Sequence, residues 1–116
     1  MSSMILINDA EFVSCKTWIF ERILVSVARV LWDENRSFAE ILIRKANSHY
    51  ELLCFESVVN GEYLGGQLPA FCNAITKMKD ETALLWTEGL EEEDKGMLLG
   101  ILDDVQAMMV KHGPIQ

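Results

Sequence analysis

The stretch "WIFERILVSVARVLW", Trp18 to Trp32, constrains the fold more than any other part of the chain. Around it, the polar positions Glu11, Ser14, Glu21, Arg22, Ser26, Arg29 and Asp33 form a narrow stripe on a helical wheel. Phe12, Trp18, Ile19, Phe20, Ile23, Leu24, Val27, Val30 and Leu31 fill the remainder. A helix this widely apolar must be covered on most of its sides. It is either the central helix of a domain or part of a homodimer interface through residues 9–33. Asn8 as N-cap and Glu11 three residues later read as a capping box, which predicts a helix over 9–33. Glu21, Arg22 and Arg29 interrupt the most apolar window, and no apolar run reaches the roughly 20 residues of a membrane span.

Three further helical segments follow. "SFAE" offers Ser37 as N-cap and Glu40 as its partner. Ala39, Leu42, Ile43, Ala46, Tyr50, Leu53 and Cys54 then recur at helical spacing, which predicts a helix over 38–58. The competing reading is a strand, because "YELLCFESVV" runs into Asn60-Gly61, a hairpin-turn pair. "NGEYLGGQLP", residues 60–69, is a loop ending in Pro69, which suits a first helical turn. Phe71, Ile75, Met78, Thr82 and Leu85 then mark one face of a helix over 69–87, with Gly89 as its stop. Leu98, Ile101, Leu102, Val105, Met108 and Met109 mark the core face of a last helix over 91–111. Short connections between long amphipathic helices predict an all-α, antiparallel four-helix bundle in one domain spanning residues 1–116. The alternative is an α+β fold with a small antiparallel hairpin from residues 38–66. The core is expected to hold Trp18, Ile23, Leu24, Leu42, Ile75, Leu85, Leu98 and Leu102.

Charge narrows the partners. Of a net charge of −8, the whole is accounted for between Asp80 and Asp104, where nine acids meet one base, Lys95. The densest basic cluster is the pair Arg44 and Lys45. Nucleic-acid binding needs basic residues that displace counterions, so neither nucleic acid nor an anionic membrane is an expected partner. A basic protein is, because opposite fields steer encounter.

Chemistry-bearing constellations are sparse. Cys15, Cys54 and Cys72 lack the short spacing of a zinc or redox site and read as buried reduced thiols, with an intermolecular disulfide or a reactive thiol as the alternative. Reduced thiols and the lack of a signal-peptide pattern at the N-terminus make the cytoplasm the expected location. His49 and His112 fit no nucleophile-base arrangement, "EEEDKGMLLGIL" lacks the alternating oxygen ligands of a calcium loop, and "GEYLGG" lacks the Lys of a phosphate loop. The expectation is a non-enzyme with no catalytic residue, no metal and no cofactor.

"LEEEDKGMLLGILDD", residues 90–104, is the most informative surface. Acids at a helix start favour its positive dipole end, but one or two would suffice. Gly96 and Gly100 share a face with Asp103 and Ala107, opposite the core stripe, and each interior glycine costs about 1 kcal/mol relative to alanine. They make sense where another backbone approaches, whether a neighbouring helix of the same domain or a partner. The expected partner-binding set is therefore Glu88, Glu91, Glu92, Glu93, Asp94, Gly96, Gly100, Asp103 and Asp104. Tyr63 with Glu62 on the glycine loop adds an aromatic anchor.

In composition and expected architecture alone, this small acidic helical chain resembles bacterial toxin-immunity proteins, without the tyrosine-containing signatures of the colicin type. That resemblance implies a protein that masks a basic nuclease with carboxylates and aromatics. The alternative is a dimeric secretion or assembly chaperone, which holds a protein client on apolar patches of a mixed sheet-and-helix dimer.

Overall fold

The computed structural model describes residues 2–8, 10–47, 52–59, 61–80 and 89–112. The chain is α+β, not an all-α bundle. It opens with a β-hairpin, β1 (Ser2–Asn8) and β2 (Glu11–Lys16), followed by α1 (Thr17–Leu31) and α2 (Arg36–Asn47). Then come β3 (Leu52–Cys54), the two-residue strands β4 (Val58–Val59) and β5 (Glu62–Tyr63), a 3-10 turn (Leu64–Gln67), α3 (Leu68–Asp80) and α4 (Glu92–His112). One sheet has the order β2-β1-β3, with β2 antiparallel and β3 parallel to β1. A second, two-stranded sheet pairs β4 with β5.

Two of the expected helices are corrected. Residues 11–16 are strand, not the first turns of a helix over 9–33. Val13 and Cys15 are buried while Phe12, Ser14 and Lys16 are exposed, the period-2 pattern of a half-buried strand. Asn8 and Glu11 do not cap a helix; they face each other across the hairpin, just past a register shift after Leu6. The helix begins at Thr17, after an extended Lys16 that makes no side-chain cap.

The predicted helix over 38–58 ends at Asn47. Leu53 pairs with Ile5 in the parallel ladder, and Val58–Val59 returns through Gly61 to Glu62–Tyr63. Gly61 has a φ of +81°, the left-handed conformation that a tight hairpin turn demands and glycine adopts without strain. The hairpin of the α+β alternative is therefore present, but confined to residues 58–63. The last helix keeps its expected place, and α3 carries Pro69 in its first turn. Its expected end, residues 81–87, lies outside the described residues.

The core forms between the sheet and the helices. Ile5, Val13, Cys15 and Leu53 supply the inner face of the sheet. Ile19, Phe20, Ile23, Leu24, Val27 and Leu31 of α1 are buried against it and against α2 and α3, which makes α1 the central helix. Leu98, Leu102, Val105, Met108 and Met109 of α4 close the core beside β2 and α3. Phe71 anchors α3 through edge-on contacts with Phe38 and Phe55, at centroid distances of 6.4 and 5.2 Å. Of the expected core, Ile23, Leu24, Leu42, Ile75, Leu98 and Leu102 are fully buried. Trp18 is only partly buried, and Leu85 lies outside the described residues.

Candidate acidic interface on the last helix

One side of α4 seals the core, and that orientation sets what the other side presents. Glu92, Gly96, Leu99, Gly100, Asp103, Asp104, Ala107 and Val110 are all exposed. A Cβ built on Gly96 or on Gly100 meets nothing within 4 Å. Among the described residues, no neighbouring helix therefore comes close enough to need either glycine. Leu99 and Val110 are large apolar side chains left in solvent on the same face. The result is a shallow strip, small in the middle and apolar at two points, along a helix whose first turn carries Glu92, Glu93 and Asp94. Three acids there lie where partial positive charge concentrates at a helix start.

The carboxylates are not equivalent. Asp103 is ion-paired with Lys79 of α3. Lys79 also donates to Gln106 Oε1 at 2.8 Å, and Gln106 in turn donates to Thr76 Oγ1 at 2.9 Å. Asp103 thus helps clamp α4 to α3. Glu92 has Lys95 one turn on, at 3.8 Å, a pair of exposed groups that weakly offsets its charge. Glu91, Glu93 and Asp104 are exposed, whereas Asp94 is half-buried. Glu88 lies outside the described residues.

Tyr63 and Glu62 occupy a different part of the molecule. Tyr63 ends β5 and stands exposed opposite Val58, itself exposed. A Cβ on Gly65 would collide with the Tyr63 ring, so the glycine lets the ring fold back over the 3-10 turn. That turn packs on α3, and β5 and α4 do not form one of the packed interfaces among the described residues. The expected binding set is therefore divided between the α4 strip and a separate aromatic point. Leu99 and Val110 are additions that the sequence reading missed. Their positions on the glycine side of the helical wheel were the available signal.

Elsewhere, Arg36 lies over the Trp32 ring at 4.1 Å from its centroid and donates from Nε to the Trp32 carbonyl at 2.9 Å. A recess between α1 and α3 is bordered by the Lys77–Glu34 ion pair at 3.7 Å and by Asn35, which donates to Gln67 at 2.8 Å. Burial pushes the Cys15 thiol up to about 11 and raises that of Cys72 in the same way. Among the described residues, no three His, Cys, Asp or Glu side chains gather in a group that could hold a metal ion. No helix among them is long and apolar enough to cross a membrane. No protein-family model, curated protein or solved structure matches the chain.

Proposed function

We propose that this chain is a non-enzymatic, cytoplasmic protein-binding module. It is an inhibitor or immunity-type protein that neutralises a basic partner, such as a nuclease toxin, docked on the outer strip of α4. The observation that carries this reading is the open space at Gly96 and Gly100. A solvated helix gains nothing from two interior glycines; a partner backbone that comes close does. The charge between Asp80 and Asp104 steers a basic surface toward the strip. Leu99 and Val110 supply apolar contact once it arrives.

The test is capture of a basic protein from extracts of the source cell, followed by kinetics on the captured pair. Inspection of adjacent reading frames for a toxin supplies the first candidate. Replacing Glu91, Glu92 and Glu93 with glutamine is expected to slow association and flatten its salt dependence, as rim charges do. Gly100→Leu is expected to speed dissociation while the circular dichroism spectrum stays unchanged. Binding that ignores both changes would move the site to Tyr63.

A second reading, a dimeric secretion or assembly chaperone, is favoured by the mixed sheet lying beside the helices. It separates from the first by salt: capture of an apolar client segment would survive ionic strength that releases a basic partner.

A further inference from the structure

The sheet has a second face. Ile5, Val13, Cys15 and Leu53 point into the core, so the alternate positions point away from it. These are Met4 and Leu6 on β1, Phe12, Ser14 and Lys16 on β2, and Leu52 and Cys54 on β3. The register sets Met4 between Ser14 and Leu52, and Leu6 between Phe12 and Cys54. Leu6 is shielded by its neighbours, but Phe12 is 51% exposed, Leu52 44% and Met4 38%. No carboxylate stands among these side chains, and Lys16 at the rim is their one charge. An antiparallel or mixed sheet with a solvated face ordinarily makes that face polar. Here it is apolar.

We propose that this outer face is the contact between two copies of the chain, packed sheet to sheet as a four-layer helix-sheet-sheet-helix dimer. Charge placement selects this occupant. The acids of α4 belong to the layer on the other side of the sheet, where α4 contributes to the same core as Val13 and Cys15. Stacked sheets lie about 10 Å apart, and a helix layer adds roughly as much again on each side. The two α4 strips are thus held about 30 Å apart, well beyond a Debye length of about 8 Å at physiological salt. Any pairing through α4 would instead bring like charges together. A basic partner gains nothing from a face without carboxylates, and two such faces bury no unpaired charge when they meet.

Area sets the strength. Three strands about 4.8 Å apart and a few residues long offer a few hundred Å², less than the roughly 800 Å² per partner of a standard interface. The dimer is therefore weak and reversible, and it leaves both α4 strips open. The apolar face of α1 packs into the core, so within residues 9–33, the segment expected as an alternative dimer surface, it is Phe12 of β2 that this contact uses.

Sedimentation equilibrium of the full chain from micromolar to millimolar concentration tests the proposal. The mass is expected to climb from 13.2 kDa toward twice that value, and added salt should leave the midpoint unchanged or lower it. Phe12→Lys and, separately, Leu52→Lys should weaken association at least about tenfold, since each buries an unpaired charge in the contact. Both side chains are largely outside the core, so circular dichroism and thermal melts are expected to match the parent protein. Gly100→Leu should leave the dimer untouched. A chain that stays monomeric throughout, or a dimer indifferent to both lysine variants while they remain folded, overturns the proposal. The first outcome would leave the face to an apolar segment of another protein.

Discussion

A methyl group added at Gly100 would enter open space. The same holds at Gly96, and both residues lie inside a continuous helix. Gly100→Ala and Gly96→Ala are thus each expected to raise stability by about 0.5–1 kcal/mol in a denaturant titration, because alanine loses less conformational freedom on folding. A loss of stability would mean that the backbone there is not free to take a side chain. Cys15 responds to pH instead. Burial holds its thiol at about 11, above the ordinary value of 9.0. The folded state therefore keeps a proton that the unfolded chain releases first, and this contribution is intact below pH 9 and lost as pH rises from 9 through about 11. Thermal melts across that range should show a smaller alkaline loss for Cys15→Ala than for the parent, measured relative to each protein's stability at pH 8. Burial at Ile23, Leu24, Leu98 and Leu102 was legible from spacing, since each lies at the centre of an apolar helical face. The emptiness beside Gly96 and Gly100 was not, because a helical wheel assigns a side chain to a face without saying what stands opposite.

At the scale of elements, the helices were largely legible and the sheet was not. The reading of α4 nearly matched its bounds, because acids at its start and six apolar positions agree on one register. The hairpin of β1 and β2 was hidden by a coincidence: Asn8 and Glu11 have the spacing of a capping box, yet close a turn. The apolar positions of β2 also extend the wheel of α1 backwards, so helical periodicity absorbed them. β3 was obscured differently. Its three residues continue the apolar spacing of α2, and what makes them strand is a ladder to β1 from the far end of the sequence. Local pattern carries no record of such a partner. The candidate site divided in the same way: positions along α4 share one element and were read together, whereas Asp103 was claimed by Lys79 from another helix.

The molecule as a whole separates its surfaces by polarity: an acidic strip on α4, an aromatic point at Tyr63, and a largely apolar sheet face without carboxylates behind the core. Its topology also sets an order of events. β1 is the middle strand, and its two neighbours reach it by very different routes. β2 follows after a tight turn, so that pair can close within about 1–10 µs, the time of an isolated hairpin. β3 arrives only after the chain has passed through α1 and α2, and closing that larger loop costs entropy before any contact repays it. The parallel ladder is thus the late step. Leu53→Ala, in the fully buried centre of β3, should leave the refolding arm of a chevron plot nearly unchanged and steepen the loss through faster unfolding. Val13→Ala in β2 should slow refolding. The reverse assignment would mean that the helical pair delivers β3 before the hairpin forms, and that the sheet is assembled around α1 and not ahead of it.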